Sequence, residues 1–340
     1  MKYKLLSVST GSEVNIGDYI QALASAQFLP QIDGFIQREK LKDYNEEECK
    51  VIMNGWYIHH PEQWPPSTKI IPLYVAVHFN VLAKDVLFSP NSIEYLKKFA
   101  PIGCRDTYTR DLLRQQGLDA YFSGCMTLTL GYKYKSKEKE NICYFVDPYF
   151  ITHWNFYNTL YNFFYLICNW KAINIIAKKY PEEKKGLRKR MILTTFYRKY
   201  KRFFTKDTLI NAEYICQQNK HYKESFKSDE ERLNEAERLV KKYAKARLVV
   251  TSRIHCALPC LGLETPVIYT ENGDQTETSS CRFGGLRDLF TIMKWHDNQL
   301  NPQFEIKNKI SITNTPKNKE LWRFYATQLT KLCKQFINDK

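Results

Sequence analysis

The segment best equipped for chemistry is ARLVVTSRIH, residues 246–255, where an apolar run ends in polar and cationic side chains. Ser252, Arg253 and His255 supply a hydroxyl, a guanidinium and an imidazole directly before a predicted helix. The free N–H groups and the dipole of a helix N-terminus favour an anion. Arg253 and His255 are two residues apart, so both project the same way if the backbone remains extended. We therefore expect a small anion to bind at this junction.

A second cation follows a predicted strand in the first half of the chain. Arg105 comes directly after PIGC, residues 101–104, and precedes a helix predicted from Thr107. The planar fork of an arginine binds a carboxylate or a phosphate at two points. The structural alternative is that Arg105 and Asp106 pair locally and cap the helix.

The third junction, Asn15-Ile16-Gly17-Asp18, follows the first predicted strand. Asp18 has the residue type of an N-cap for a helix predicted over 19–29, with its carboxylate accepting from free backbone N–H groups. Gly17 allows a ligand or a backbone to approach closely. The structural alternative is a plain helix cap. The glycines here are spaced too widely for a dinucleotide-binding fingerprint.

The remaining candidates are histidines. His59 and His60 lie in the loop WYIHHPEQWPP, residues 56–66, which either shapes an acceptor site or forms a turn, and His78 ends a predicted strand. The chain has no HExxH motif, no GxSxG motif and no carboxylate pair at a strand end. We therefore expect no metal site, and neither a metalloprotease, a hydrolase nor a metal-dependent sugar transferase.

The elements that carry these junctions alternate between short apolar strands and helices, as in the strand predicted over 247–251 and the helix over 229–246. This alternation is typical of βαβ units on parallel sheets. We predict an α/β protein with two domains, residues 1–135 and 141–310, and a final amphipathic helix over 318–337. Ligands of such folds bind at the carboxyl ends of the strands, so the junctions should line a cleft between the two sheets.

Composition adds a strong charge bias. The 340 residues include 44% hydrophobic residues, which excludes a disordered or collagen-like chain, and carry a formal net charge of +15, which favours anionic partners. Much of the excess lies in a basic, aromatic insertion, residues 154–206, where residues 171–206 hold thirteen Lys or Arg against two Glu. No apolar run reaches the roughly 20 residues of a bilayer span. We expect the ten cysteines to be free thiols in the cytoplasm.

Three segments together resemble the polysaccharide pyruvyl transferase family. They are NIGDYIQALASAQ (15–27), PIGCRDTYTRDLLRQQGLDAYFSGCMTLTL (101–130) and VVTSRIHCALPCLGLETPVI (249–268). Their order spans most of the chain up to about residue 270, and they leave the insertion and the C-terminal tail uncovered. The family's motif positions fall on Asp18, on Arg105 and on the Arg253–His255 pair.

The resemblance implies two Rossmann-like domains with parallel sheets in a GT-B-like arrangement, with a cleft between them. It also implies transfer of pyruvate from phosphoenolpyruvate to a sugar of a capsular, exopolysaccharide or cell-wall glycan, as a cyclic ketal, with release of phosphate. No cofactor is expected, because phosphoenolpyruvate is a co-substrate. The expected donor-binding residues are Arg105, Ser252, Arg253, Ile254 and His255. The expected acceptor-binding residues are Asn15, Gly17, His59 and His60.

Ketal formation needs one proton donor and one proton acceptor. We expect His255 to be the general acid, which protonates the donor carbon or the leaving phosphate, and Asp18 to be the base for an acceptor hydroxyl. Arg253 and Arg105 should hold the two anionic groups of the donor.

The insertion suggests where the reaction takes place. Aromatic side chains prefer a membrane interface and cations an anionic leaflet. We therefore expect peripheral docking of residues 154–206 at the inner face of the cytoplasmic membrane, and a polyprenyl-diphosphate-linked acceptor; the alternative is a solvated helical hairpin. Two other functions stay open: a GT-B glycosyltransferase with Glu271 on the ribose of a nucleotide sugar, and a nucleic-acid-binding protein that uses the insertion. For pyruvyl transfer itself we expect no nucleic-acid partner.

Overall fold

Strands and helices alternate along the computed structural model, which describes residues 1–8, 14–57, 59–181, 184–273 and 281–339. The strands are β1 (Lys2–Tyr3), β2 (Leu5–Ser7), β3 (Val14–Asn15), β4 (Phe35–Gln37), β5 (Cys49–Ile52), β6 (Trp56–Tyr57), β7 (Ile70–Leu73), β8 (His78–Phe79), β9 (Ile102–Cys104), β10 (Ala120–Phe122), β11 (Cys143–Val146), β12 (Glu213–Ile215), β13 (Gln218–Asn219), β14 (Leu248–Thr251), β15 (Val267–Asn272), β16 (Thr291–His296) and β17 (Gln299–Pro302). The α-helices are α1 (Ile16–Ala26), α2 (Lys84–Leu87), α3 (Pro90–Lys97), α4 (Thr107–Gln115), α5 (Gly131–Tyr134), α6 (Phe156–Cys168), α7 (Trp170–Lys179), α8 (Gly186–Tyr200), α9 (Lys206–Asn211), α10 (Lys220–Ser225), α11 (Asp229–Lys245), α12 (Ile254–Gly262) and α13 (Trp322–Asn338).

The C-terminal half is built on one six-stranded sheet in the order β12-β11-β14-β15-β16-β17. All neighbours are parallel except β16 and β17. Strands β11 and β14 are buried along their whole length, as expected for a parallel sheet that is covered on both faces. The prediction of parallel α/β units is confirmed here.

The N-terminal half has shorter parallel pairs. Strands β1, β5 and β7 form a three-stranded sheet, and β2 pairs with β4, β6 with β8, and β9 with β10. A single bridge between Val77 and Cys104 links the chain after β7 to β9. One pair crosses between the halves, because β3 pairs antiparallel with β13.

Three buried clusters stabilise the molecule, and the central one draws on both halves. It packs α1 and the 3-10 turn Met126–Leu130 against α11, α12 and α13. At one of its tightest points a Cβ added to Gly262 would lie 2.3 Å from the carbonyl oxygen of Leu128, so only glycine fits there. The separation into domains 1–135 and 141–310 and the GT-B-like arrangement stay predictions.

The insertion divides into a core part and a surface part. Helices α7 and α8 pack on the six-stranded sheet and bury Ile173, Ile176, Phe196 and Tyr200. The alternative of a solvated hairpin is therefore wrong for α7 and α8, because their apolar faces complete a hydrophobic core. Helix α6 lies at the edge of this core: Leu166 packs into it, and most of the other side chains of the helix are exposed.

The C-terminal helix is present, with shifted limits. It spans Trp322–Asn338 and buries Trp322, Leu329 and Cys333, whereas Leu321 and Phe324 are exposed. Among the described helices, none combines the length and the apolar character that a bilayer span requires.

Candidate functional site

A cavity of about 100 Å³ lies between the two halves, where the junctions singled out in the sequence meet. Its lining residues from the N-terminal half are Asn15, Gly17, Asp18, Gln21, Trp56 and Arg105. Those from the C-terminal half are Gln217, Ser252, Arg253, Ile254, His255, Arg282 and Phe283. The structure therefore brings together every predicted site residue except His59 and His60.

The turn from β14 into α12 aims its side chains at the cavity. The hydroxyl of Thr251 accepts a hydrogen bond from the backbone N–H of Arg253 at 2.9 Å, and Ser252 Oγ donates to the carbonyl of Asp147 at 2.5 Å. Arg253 remains extended, with φ −92° and ψ 123°, and α12 begins at Ile254. His255 departs from helical geometry, with ψ 20°. Ser252 thus holds the turn in place, while Arg253 and His255 reach the cavity.

Arg253 is oriented by a carboxylate that the sequence did not point to. Its Nε donates to Asp147 Oδ2 at 2.8 Å and its Nη1 to Gln218 Oε1 at 3.0 Å. The same Asp147 oxygen accepts from the backbone N–H of Gln217 at 2.9 Å. Asp147 therefore neutralises part of the charge of Arg253 and fixes its guanidinium at the edge of the cavity.

Arg105 is buried and, within the described part of the chain, has no carboxylate partner. Only 3% of its surface is exposed, and its Nε has no hydrogen-bond partner. Asp106 caps α4 by accepting from the N–H of Thr109 at 2.8 Å, and its other oxygen lies 2.6 Å from His78 Nδ1. The helix-capping part of the alternative is confirmed for Asp106, while Arg105 remains unpaired beside the cavity.

Arg282 is a third guanidinium, which sequence reasoning missed. It lies on the 3-10 turn Cys281–Phe283, and its buried Nε has no hydrogen-bond partner. Burial, followed by the nearby charge of Arg105, lowers the pKa of Arg282. A buried and a half-buried guanidinium that repel each other favour the binding of an anion, because an anion neutralises both.

The signal for Arg282 was its neighbours, Gly284 and Gly285. A Cβ added to Gly284 would lie 2.3 Å from Thr107 Oγ1, and the carbonyl of Gly284 accepts from the Thr107 N–H at 3.1 Å. Gly285 has a φ of +76°, a conformation that favours glycine. The two glycines hold this turn against the start of α4 and so carry Arg282 to Arg105.

His255 is a buried, neutral imidazole in this structure. Burial lowers the pKa of His255 well below its ordinary value, and the charges of Arg105 and Arg282 lower it further. Its Nε2 is buried without a hydrogen-bond partner. An anion bound to the two arginines would reverse their electrostatic effect and favour a proton on this ring.

Asp18 lies in the first turn of α1, and its assignment as the N-cap is wrong. The N-cap is Asn15, whose Oδ1 accepts from the N–H of Gly17 at 3.0 Å, and α1 spans Ile16–Ala26 rather than 19–29. The Asp18 carboxylate accepts from Gln21 Nε2 at 3.3 Å. Burial raises the pKa of Asp18, although Arg38 and Arg105 oppose that shift. The carboxylate is therefore free of the capping role and is a stronger base than an exposed one.

Gly17 allows the two sides of the site to touch. A Cβ at this position would lie 3.2 Å from the Cβ of His255 and 3.0 Å from Asn15 Oδ1. The expectation that Gly17 permits a close approach is confirmed, and the approaching group is the His255 side chain.

The predicted acceptor histidines lie outside the cavity. His60 is exposed and its Nδ1 lies 2.8 Å from Glu62 Oε1, while the ring of His59 lies 6.1 Å from that of Trp56. Trp56 lines the cavity, and its buried Nε1 has no hydrogen-bond partner. Acceptor binding by His59 and His60 stays a prediction, and Trp56 is the residue of this loop that reaches the site.

The cavity is a cationic site for an anion. The described residues contain no group of three or more His, Cys, Asp or Glu side chains placed to hold a metal ion. Three guanidiniums, from Arg105, Arg253 and Arg282, surround the neutral His255, with the Asp18 carboxylate in the same lining. This arrangement suits a small ligand with more than one anionic group and a proton-transfer reaction.

Comparison with known proteins agrees with this geometry. A search of curated proteins and a search of solved structures each find no match. The family model for polysaccharide pyruvyl transferase matches residues 15–274, about three quarters of the chain and every described part of the cavity except Arg282 and Phe283. The chain belongs to the polysaccharide pyruvyl transferase family.

Proposed function

We propose that the cavity binds phosphoenolpyruvate and that the enzyme transfers its pyruvyl group to two hydroxyls of a glycan as a cyclic ketal, with release of phosphate. Family membership makes the chain a transferase that moves pyruvyl groups onto polysaccharide. The observation that carries the proposal is the pair of guanidiniums of Arg105 and Arg282, whose buried Nε atoms have no hydrogen-bond partner.

The charges of the donor match the charges of the cavity. Phosphoenolpyruvate carries a carboxylate and a phosphate, and guanidiniums bind both groups in two-point fashion. The charge of Arg105 lowers the pKa of Arg282, so these two guanidiniums lie near each other in the cavity lining. Arg253, in contrast, already donates a hydrogen bond to Asp147. We assign one anionic group to Arg105 and Arg282, and the other to Arg253 and the N-terminus of α12.

The reaction needs two proton movements, and two residues are placed for them. A proton added to the methylene carbon of the donor makes the central carbon electrophilic, and a glycan hydroxyl then adds to that carbon as it loses its own proton. The carbon–oxygen bond to phosphate breaks next, the phosphate takes up a proton, and a second hydroxyl closes the ketal with loss of its proton. Two protons leave the hydroxyls, one ends on carbon and one on phosphate.

His255 is the proposed acid. The unliganded ring is neutral, because burial and the two arginines lower its pKa. The phosphate of a bound donor supplies negative charge next to this ring, so donor binding raises the pKa of His255 and loads it with a proton. The acid is thus charged only when there is a donor to protonate.

Asp18 is the proposed base for the acceptor hydroxyl. Its pKa is raised by burial, which brings the carboxyl closer to the pH at which general bases are most effective. It lies on the N-terminal side of the cavity with Gln21 and Trp56, so we place the acceptor sugar on that side. The indole N–H of Trp56 is available to a sugar hydroxyl.

A nucleotide-sugar glycosyltransferase fits the site less well. Pockets for drug-sized ligands hold roughly 300–1,000 Å³, several times the volume of this cavity. Glu271, the one carboxylate expected to bind a ribose, forms an ion pair with Arg287 at 3.1 Å. Nucleic-acid binding by the insertion is also less favoured, since α8 is largely buried in the core.

We place the acceptor on a polyprenyl-diphosphate lipid and the enzyme at the inner face of the cytoplasmic membrane, docked through residues 154–206. Support comes from the thirteen Lys or Arg between 171 and 206 and from the exposed aromatic side chains of α6. Cations near an anionic leaflet and aromatic side chains at its interface both favour such docking.

The test is phosphate release from phosphoenolpyruvate in the presence of lipid-linked galactosyl, glucosyl and N-acetylmannosaminyl acceptors. We expect one acceptor to trigger release and to gain the mass of pyruvate minus water. His255→Gln should abolish both signals, and Arg282→Gln should lower both by about 10²–10³-fold. Turnover of UDP-sugars in place of phosphoenolpyruvate would contradict the proposal.

A further inference from the structure

Helix α6 exposes its aromatic side chains and buries an amide. Asn162 is buried, its Nδ2 donates to Thr195 Oγ1 at 3.2 Å, and Leu166 is the other buried residue of the helix. The exposed apolar residues on and beside the helix are Trp154, Phe156, Tyr157, Leu160, Tyr161, Phe163, Phe164 and Ile167. A surface helix in water has the opposite distribution, with its apolar stripe toward the core. The outer face of α6 is therefore built to be covered.

An apolar groove runs between α6 and the start of α8. Its volume is about 620 Å³, and its lining residues are Trp154, Phe156, Thr159, Leu160, Phe163, Leu187, Arg188 and Met191. This volume lies within the range of sites for elongated small molecules. Apart from Thr159 and the Arg188 guanidinium, the lining is apolar, so the groove suits a hydrocarbon chain with an anionic end.

Guanidiniums border the aromatic face. The distances from the arginine Cζ atom to the ring centroid are 6.0 Å for Arg188 and Trp154, 5.2 Å for Arg190 and Trp170, and 4.8 Å for Arg198 and Tyr161. Across the described ranges, none of the three forms an ion pair with a carboxylate. Aromatic rings beside unpaired cations match the boundary between lipid chains and phosphate headgroups.

We propose that α6 lies in the interface of an anionic bilayer and that the groove takes up one acyl chain of an anionic lipid, with Arg188 at its phosphate. This inference rests on the proposed docking of the insertion and names the element and the ligand. Tyr157, Phe164 and Ile167 lie outside the groove, so a single bound chain would leave them in water while a bilayer covers them. A second copy of the chain is disfavoured, because it would bring the two sets of arginines together.

The docking face is therefore α6 together with the start of α8, and the rest of α8 is part of the core. Removing residues 184–202 would remove Phe196 and Tyr200 from the core, so that change tests folding rather than docking. Exposed residues of α6 are the appropriate targets, because polar substitutions there leave the core intact.

The first experiment measures pelleting of the full chain with vesicles. We expect the wild type to pellet with equal parts phosphatidylglycerol and phosphatidylcholine, and not with phosphatidylcholine alone. Tyr157→Ser with Phe164→Ser should weaken partitioning about tenfold, since both side chains would be lost from the interface. Leu82→Ser with Phe324→Ser is the matched control, equally exposed on other surfaces, and should bind like the wild type.

The second experiment tests the groove with cis-parinaric acid, a fluorescent anionic acyl chain. We expect saturable binding of one molecule per chain, lost in Thr159→Trp, which fills the groove and still pellets with vesicles. Leu160→Asp changes an exposed residue of the groove and should also lose binding. It provides a second test if Thr159→Trp fails to fold.

Four results would overturn the proposal. They are equal pelleting with neutral vesicles, unchanged parinaric acid binding by both groove variants, displacement of the probe by polyprenyl phosphate but not by phosphatidylglycerol, and a dimer that the α6 substitutions abolish. Phosphate release with a water-soluble glycan should be unchanged in every α6 variant. If the wild type binds vesicles but releases no phosphate, the proposed function fails and this inference stands.

Discussion

The cavity and the outer face of α6 depart from ordinary protein surfaces in opposite ways. The cavity holds the buried Arg105 and the half-buried Arg282 without a carboxylate partner among the described residues, whereas α6 exposes Phe156 and Tyr157 by 75% and 82%. Buried charge and exposed aromatic surface are both unfavourable in water. Each region becomes favourable once a ligand of the complementary kind arrives: an anion in the cavity and a lipid surface on α6.

The two regions carry separate parts of the proposed function. The cavity lies between the halves and holds the groups for proton transfer, while α6 lies on the outer side of the C-terminal sheet with no residue in the cavity lining. Substitutions in one region should therefore leave the activity of the other unchanged.

The largest effect is expected at the buried arginines. Arg282→Gln removes a charge that a bound anion needs, so phosphate release should fall by about 10²–10³-fold, the usual loss for one stabilising donor. The same change should raise Tm of the unliganded protein, because it removes a half-buried cation that Arg105 repels. Arg247→Gln, at an exposed arginine outside both the cavity lining and the insertion, is the control and should change neither value.

The next effect concerns the contact that holds the halves together. Gly262→Ala places a methyl group 2.3 Å from the carbonyl oxygen of Leu128, so backbone must move. We expect a loss of about 1–3 kcal/mol in the free energy of unfolding, measured by urea denaturation, as for other overpacked sites. A rise in the KM for phosphoenolpyruvate should accompany it, because the shift separates the two walls of the cavity. Unchanged stability would show that the contact is looser than described.

The titration of Asp18 should make both activity and stability depend on pH. As pH falls through its raised pKa, the carboxylate takes up a proton and kcat/KM should fall. The carboxyl has a lower pKa in the unfolded chain than in the folded one. Its ionisation therefore lowers the free energy of unfolding of the wild type at pH values above the ordinary Asp pKa. Asp18→Asn should therefore be more stable at neutral pH and no more stable in acid. A variant that loses stability at neutral pH would contradict the burial of an ionisable carboxyl here.

The smallest effect is expected on the stability of α6 variants. Tyr157→Ser is a surface change away from any core contact, so the free energy of unfolding should stay within about 0.5 kcal/mol. A larger loss would mean that the aromatic face packs on protein rather than awaiting a lipid.

The central strands were predictable because of their composition. Residues 247–251 and the helix over 229–246 were predicted within one residue of β14 (Leu248–Thr251) and α11 (Asp229–Lys245). Continuous apolar runs identify buried parallel strands, and Ser228 with Glu231 forms the capping box that starts α11. Local sequence is sufficient where a local interaction decides the structure.

The site was predictable where a functional side chain follows a strand, and not where a loop is placed by distant contacts. Arg105, Arg253 and His255 follow strands, so their position in the fold was evident. Arg282 depends on the contact between Gly284 and Thr107, which are far apart in sequence. The N-cap of α1 is Asn15 instead of Asp18, and residue type alone could not choose between them because both types are good caps.

The most direct test is calorimetric titration of the chain with phosphoenolpyruvate in buffers of different ionisation enthalpy. We predict saturable binding with uptake of protons, because the bound anion raises the pKa of His255. Arg282→Gln should weaken binding strongly, whereas His255→Gln should bind without that proton uptake. Absence of phosphoenolpyruvate binding in a folded wild type, or binding of UDP-sugars in its place, would contradict the assignment of the cavity as the donor site.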